Sequence, residues 1–208
     1  NNWNQKHMLG LYPIKQVNID DLPDVILRNF GMSSDEVYFK YRMNLENKHF
    51  VFIKQWNEFF KPKSVADFGC GTGLYLYAWE ITGAKCLGFE YSKYAREHKV
   101  CNSEIYQVNL NEENDFDKDY DLVTALDVLE HLEYKNIDTA IETLIKASSK
   151  YILTSIPYKG TPNCEMDKTH IIKESRDWWV NKFREHELKE IRVPEDWIFK
   201  EQLLIFEK

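Results

Sequence analysis

Glycine is scarce in this chain, with only eight among 208 residues. Left-handed backbone is therefore rare, and any cluster of glycines marks a place where the backbone does something other residues resist. Long apolar runs are missing too: no uncharged apolar stretch reaches 18 residues, so neither a transmembrane helix nor a membrane partner is expected. The opening "NNWNQKHMLG" lacks the charged start and apolar core of a signal peptide. It also lacks an initiator Met, which fits a sequence trimmed from something longer. Positive charge is short, with 27 Lys and Arg against 34 Asp and Glu and a net charge of −7. A broad, sequence-independent nucleic-acid surface needs clustered cations and is not expected, although a small basic patch stays open. The four cysteines, Cys70, Cys86, Cys101 and Cys164, show no C-x-x-C spacing, so neither a zinc knuckle nor a disulfide framework is indicated. A reducing, cytoplasmic setting is the expectation.

What is present suits one globular domain: 43% hydrophobic and 14% aromatic residues at a length that supports a continuous core. Residues 1–43 are the least regular and are expected to form an N-terminal helical extension or lid, carrying Tyr12, Phe39 and Tyr41, ahead of a main domain at 44–208. From 45 to 60 the apolar spacing is helical. Strand and helix patterns then alternate: strands at 64–68, 85–90, 104–110, 120–128 and 151–158, and helices at 74–82, 93–100, 137–149 and 176–186. Gly83 is placed to close the first of these helices, and Ser92 and Ser175 to open two others. Two closing strand-like runs, "LKEIRV" and "EQLLIFEK", predict an antiparallel hairpin. The alternation implies a three-layer α/β/α sandwich with seven strands, mostly parallel.

Three of the eight glycines fall in "VADFGCGTGLYLYAWE", at Gly69, Gly71 and Gly73. A turn from a buried strand into a helix bares backbone N–H groups, and glycines let a ligand approach them closely. Glu90 ends the second strand 19 residues past Gly71. At that distance a nucleotide-binding α/β unit sets a carboxylate against ribose hydroxyls, so an adenosine-containing ligand is expected. The spacing is not the G-x-G-x-x-G of dinucleotide sites, and no Gly-Lys-Ser/Thr of a P-loop follows.

"VADFGCGTG" resembles the first motif of the class I S-adenosylmethionine-dependent methyltransferases, and the likeness runs in motif order over about residues 45–208. It implies a Rossmann-like fold and S-adenosylmethionine as cofactor, leaving S-adenosylhomocysteine as product. By the same resemblance Asp67 orients the methionine amino end, Gly69, Gly71 and Gly73 underlie the carboxylate and ribose, and Glu90 accepts both ribose hydroxyls with Tyr91 beside the adenine. Asn109 and Leu110 stand where the family has an Asp and a small or apolar residue. The Asn109 amide oxygen can accept the adenine amino group in the Asp's stead.

After the fourth strand, "YDLVTALDVLEHLEYKN" resembles methyltransferases of type 11/12, which include ubiquinone-pathway O-methyltransferases. That likeness implies that the strand end, with Leu126 and Asp127, lines the methionine moiety and that His131 faces the reacting centre. His131 is the first candidate for the base that takes the acceptor's proton, with His170 of "DKTHI" assisting. Asp127, Glu130, His131 and His170 also resemble the set of two acids and two histidines with which some small-RNA 2′-O-methyltransferases hold a divalent metal. Mn²⁺ or Fe²⁺ suits such mixed ligands, and the resemblance leaves a metal open without favouring it.

"DFDKDYD" begins like a calcium loop but carries Tyr120 and Leu126 at the positions of the required Gly and Glu, so that reading fails. The Asn/Asp-Pro-Pro-aromatic motif of amide and adenine methyltransferases is absent, which favours oxygen over planar nitrogen as acceptor. Trp178, Trp179 and Phe183 read as core, and "IPYKG", with Tyr158, as one wall of the acceptor pocket. The expected activity is O-methylation of a small molecule, a sugar or phenolic hydroxyl. The alternatives are a metal-dependent 2′-O-methyltransferase on an RNA end and a non-catalytic cofactor-binding subunit. Neither the acceptor nor the oligomeric state can be read from the sequence.

Overall fold

A computed structural model describes residues 48–116 and 119–208. The expectation of a lid at 1–43 lies outside the described residues. Helix α1 (Lys48–Phe60) leads into strand β1 (Ser64–Phe68), then α2 (Leu74–Ile81), β2 (Lys85–Phe89), α3 (Lys93–Glu97), β3 (Ile105–Tyr106) and β4 (Tyr120–Leu126). Two 3₁₀ turns, Leu129–His131 and Tyr134–Asn136, precede α4 (Ile137–Ala147), β5 (Ser148–Ser155), α5 (Pro162–Met166), α6 (Arg176–Glu185), β6 (Lys189–Ile191) and β7 (Leu203–Glu207).

The seven strands lie in the order β3-β2-β1-β4-β5-β7-β6. The first five are parallel, and β7 enters antiparallel between β5 and β6. Period-two alternation sorts neighbouring residues into cores on opposite faces of this sheet. Ala66, Val123, Ile152, Leu204 and Phe206 pack with Ile141 and Leu144 of α4 and with Trp179 and Phe183 of α6. Val65, Leu122, Leu153, Leu203 and Ile205 pack with Ile53, Trp56 and Phe60 of α1 and with Trp79 of α2. This is the expected three-layer, seven-stranded, mostly parallel sandwich. Strand order reverses between β1 and β4, so a crevice opens at the carboxyl ends of those two strands, where open α/β sheets bind ligands.

Local signals and structure agree where the chemistry is local. Ser92 Oγ accepts from Ala95 N at the start of α3, Ser175 Oγ from Trp178 N at the start of α6, and Gly83, at φ 88°, follows α2. The differences are at strand ends. β3 has two residues instead of seven: it is an edge strand, and Asn109 turns the chain by accepting Asn111 N–H on its own side chain. β4 stops at Leu126 because Asp127 adopts left-handed backbone at φ 54°. β5 begins earlier than expected, since Ser148 pairs with Tyr120 across a register shift. Helix α5 has no counterpart in the sequence reading; Thr161 caps it and Pro162 occupies its first turn.

Candidate active site

The glycine loop joins β1 to α2 at the crevice. Gly69, Gly71 and Gly73 all have positive φ, at 69°, 56° and 83°. A Cβ on Gly69 would lie 2.4 Å from Val128 Cγ2, and one on Gly73 2.4 Å from Cys101 Sγ. Conformation and space therefore both demand glycine at these two positions. Glu90 ties the loop to the end of β2. One carboxylate oxygen accepts Gly71 N–H at 2.8 Å and the other Ser92 N–H at 2.7 Å. Burial raises its pKa, with those two amides opposing. Arg96, which no sequence signal singled out, clamps the same corner by donating to the carbonyls of Glu90 and Tyr91 and to Gln107 Oε1. Tyr91 is exposed, its ring free to cover a flat ligand.

Asp67 is 2% exposed and its Oδ1 accepts from Thr124 Oγ1 at 2.6 Å. Desolvation pushes its carboxyl up to about 7, against the pull of the Thr124 hydroxyl. Asn109 is less open than its sequence position implies: Oδ1 accepts Asn111 N–H at 3.1 Å and Nδ2 donates to Glu112 Oε1 at 2.7 Å. Leu110 is buried in the main core, and Leu126 is half-buried at the end of β4.

The second half of the crevice is built from the turns after β4 and β5. Among the described residues, one ligand atom from each of Glu130, His131 and His170 lies within 4.8 Å of the others. Asp127 stays apart: its carboxylate accepts from Ser155 Oγ at 2.7 Å. Glu130 is fully buried and neither of its oxygens has a hydrogen-bond partner. His170 Nε2 stands 3.9 Å from Glu130 Oε1, beyond hydrogen-bond reach. Burial drives the Glu130 pKa well above the usual carboxylate range, helped by the charge of Asp127. Kept ionised, a buried carboxylate without hydrogen bonds would cost several kcal/mol, which a bound cation would offset. The orphaned atoms, the carboxylate–imidazole donor set and the burial all fit a divalent ion.

Backbone bonds weld the two turns together. The Glu130 carbonyl accepts the N–H groups of both Ile171 (2.8 Å) and Ile172 (2.9 Å). His131 Nδ1 lies 3.1 Å from the Thr169 carbonyl, which can only accept, so Nδ1 carries the proton and Nε2 keeps a free lone pair. The rings of His131 and His170 meet edge to face at 4.7 Å. Burial lowers the pKa of His170, against the neighbouring Asp167 carboxylate, which favours the neutral ring a metal ligand needs. Sequence reasoning missed Asp167 and Thr169, which stand beside His170 in "DKTHI"; only the folded loop brings them to His131. Tyr158 is buried after β5 and its hydroxyl has no hydrogen-bond partner. Trp179 and Phe183 are core, as expected, while Trp178 is half-buried against Tyr134.

A doubly wound sheet, a glycine loop at its switch point and an acid at the end of β2 define a nucleotide-cofactor α/β enzyme of the class I methyltransferase type. Residues 39–190 match the family model described as "Methyltransferase domain", and the chain belongs to that family. It is an S-adenosylmethionine-dependent methyltransferase. No curated protein matches its sequence. Solved structures share the fold. An O-methyltransferase family protein from Burkholderia thailandensis aligns at TM-score 0.67 and 14% identity, covering 84% of this chain and 59% of that one. CalS10 from Micromonospora echinaspora, an amino pentose methyltransferase of calicheamicin biosynthesis solved with S-adenosylmethionine bound, aligns at 0.65 and 12% over 82% and 96%. The methyltransferase domain of bacterial CtHen1 aligns at 0.59 and 16% over 77% and 98%. No helix among the described residues is long and apolar enough to cross a membrane.

Proposed function

We propose that the chain methylates a hydroxyl oxygen at the crevice between β1 and β4, with Glu130, His131 and His170 holding a divalent cation beside the acceptor. The observation that carries this reading is the fully buried Glu130 carboxylate, without a hydrogen-bond partner, converging with two imidazoles. S-adenosylmethionine supplies an electrophilic methyl group. A divalent ion supplies Lewis acidity, which lowers the pKa of a hydroxyl bound to it. The residues do the rest. Asp67 meets the amino end of the cofactor, the glycine loop underlies its carboxylate and ribose, and Glu90 accepts from its ribose hydroxyls. Tyr91 covers the adenine, Asn109 accepts from the adenine amino group, and Leu110, Leu126 and the Asp127 backbone complete the cofactor wall. The acceptor oxygen would give its proton to solvent water and, held in line with the methyl and opposite the sulfur, form the O–C bond as the C–S bond breaks to leave S-adenosylhomocysteine, a positional effect on the order of 7–11 kcal/mol.

Under this reading His131 and His170 act as ligands instead of as bases, which departs from the expectation raised by the sequence. A small molecule with a sugar or phenolic hydroxyl remains the first acceptor class, in line with the acidic chain. A second reading, the 2′-hydroxyl of an RNA end, is favoured by the acid–histidine set itself. Transfer of radiolabelled methyl to catechols, glycosides and short RNAs, with Mn²⁺ or with EDTA, tests both. Transfer that requires Mn²⁺ and is lost in Glu130→Gln supports the cation reading. Full transfer in EDTA overturns it and returns His131 to the role of base.

A further inference from the structure

One carboxylate addresses both histidines of the candidate site. Asp167 Oδ1 accepts from Thr169 Oγ1 at 2.6 Å and from Thr169 N at 2.8 Å. The Thr169 hydroxyl is thus spent as a donor to Asp167, and its oxygen turns a lone pair toward His131 Nδ1 at 3.1 Å. The Thr169 carbonyl faces the same nitrogen at 3.1 Å. Both partners of His131 Nδ1 therefore accept, and the ring has one tautomer that satisfies them. The other oxygen of Asp167, Oδ2, lies 3.5 Å from His170 Nε2. Asp167 itself is held to the His131 side of the crevice through a tight turn, since its own side chain caps the N–H two residues on.

We infer that Asp167 is the positioning residue of this site: by accepting from both the hydroxyl and the N–H of Thr169 it holds the two acceptors, hydroxyl and carbonyl, that fix His131 with Nδ1 protonated and Nε2 free. Asp127, the other acid of the set read from the sequence, has its side chain committed to Ser155. Ligating imidazoles elsewhere are oriented by such outer partners, and losing one typically weakens metal affinity about 10–100-fold. The inference rests on the cation reading of the site for its purpose, but not for its geometry.

The test compares Asp167→Ala, Asp167→Asn, Thr169→Val and Thr169→Ser with the wild type in two ways. Histidine ¹⁵N spectra of the metal-free protein report the His131 tautomer, and Co²⁺ titration followed by visible absorption reports affinity. Asp167→Ala is expected to mix the His131 tautomers and weaken Co²⁺ binding about 10–100-fold. Thr169→Val moves both in the same direction by less. Thr169→Ser, which keeps the hydroxyl, stays at the wild-type values, and Asp167→Asn, which keeps the acceptor to Thr169, retains the tautomer. Unchanged spectra and Co²⁺ affinity in both Asp167→Ala and Thr169→Val would overturn the assignment. Failure of the wild type to take up Co²⁺ would remove the cation reading alone, and the tautomer comparison would still test whether Asp167 orients His131.

Discussion

Replacing Asp67 by Asn removes a buried acid that the folded protein keeps at a cost. In the unfolded chain the carboxyl titrates near 3.8, and in the fold burial pushes it up to about 7. The folded state therefore binds the proton more tightly, so stability is full below about pH 4 and is lost as pH rises toward 7, where the loss levels off. At about 1.36 kcal/mol per pH unit, the penalty is about 4 kcal/mol at pH 8 and about 2 kcal/mol at pH 5. The amide in Asp67→Asn does not ionise. The variant is thus expected to be more stable than the wild type without cofactor, and its advantage should grow by roughly 2–3 kcal/mol from pH 5 to pH 8. For a chain of this size that is roughly 5–10 °C in Tm. The same acid should report cofactor binding. A cationic amino group prefers the ionised form, so wild-type affinity for S-adenosylhomocysteine should rise about tenfold from pH 6 to pH 8, as expected for a group titrating near 7. In the variant affinity should be weaker and nearly flat. Thermal melts at pH 5 and pH 8, with calorimetric titration of S-adenosylhomocysteine, measure both. A difference in Tm between variant and wild type that is equal at the two pH values would refute the buried-acid account. It would show that Asp67 reaches water in the folded state.

Further outcomes follow from the same geometry. Glu130→Gln keeps the buried shape but cannot ionise, so without metal it should match or exceed wild-type stability above neutral pH. It should also lose the stabilisation that a cation at 100 times its Kd gives, about 2.7 kcal/mol, as read by melts with Mn²⁺. Gly73→Ala puts a Cβ 2.4 Å from Cys101 Sγ at φ 83°. A loss of roughly 1–3 kcal/mol is expected from strain and crowding; Gly83→Ala, with nothing within 4 Å, tests backbone strain alone by denaturant titration. Glu90→Gln removes the charge from an acceptor that ties Gly71 and Ser92. It should weaken S-adenosylhomocysteine binding by about 1.5–3 kcal/mol, or roughly 10–150-fold, in calorimetry.

The architecture was legible because its signals are short-range. Buried parallel strands read as apolar runs, and Gly69 and Gly73 announce a conformation and a closeness that side chains cannot adopt. Ser92 and Ser175 cap helices through bonds spanning three residues. Strand ends were less legible, since an edge strand such as β3 is ended by the local chemistry of Asn109, with pairing on one side only. The cofactor half of the site lay along one βαβ unit, so spacing pointed to Glu90 and the family resemblance to Asp67. The acid–histidine half was visible only as an open set of four residues, Asp127, Glu130, His131 and His170.

Sequence by itself determined the order of strands and helices and the glycine turn, and pointed to an adenosine-containing ligand, because each depends on residues close to one another along the chain. Tertiary structure alone decided which of the four acids and histidines meet. Parallel pairing of β4 with β5 brings the turns after them side by side, and the Glu130 carbonyl then locks Ile171 and Ile172 to it. That contact carries His170 to Glu130 and brings Asp167 in behind them. The left-handed turn at Asp127 sends its carboxylate to Ser155 instead. Side-chain direction at a turn is set by a backbone angle and a neighbour from another strand, and neither is written in the spacing of the residues.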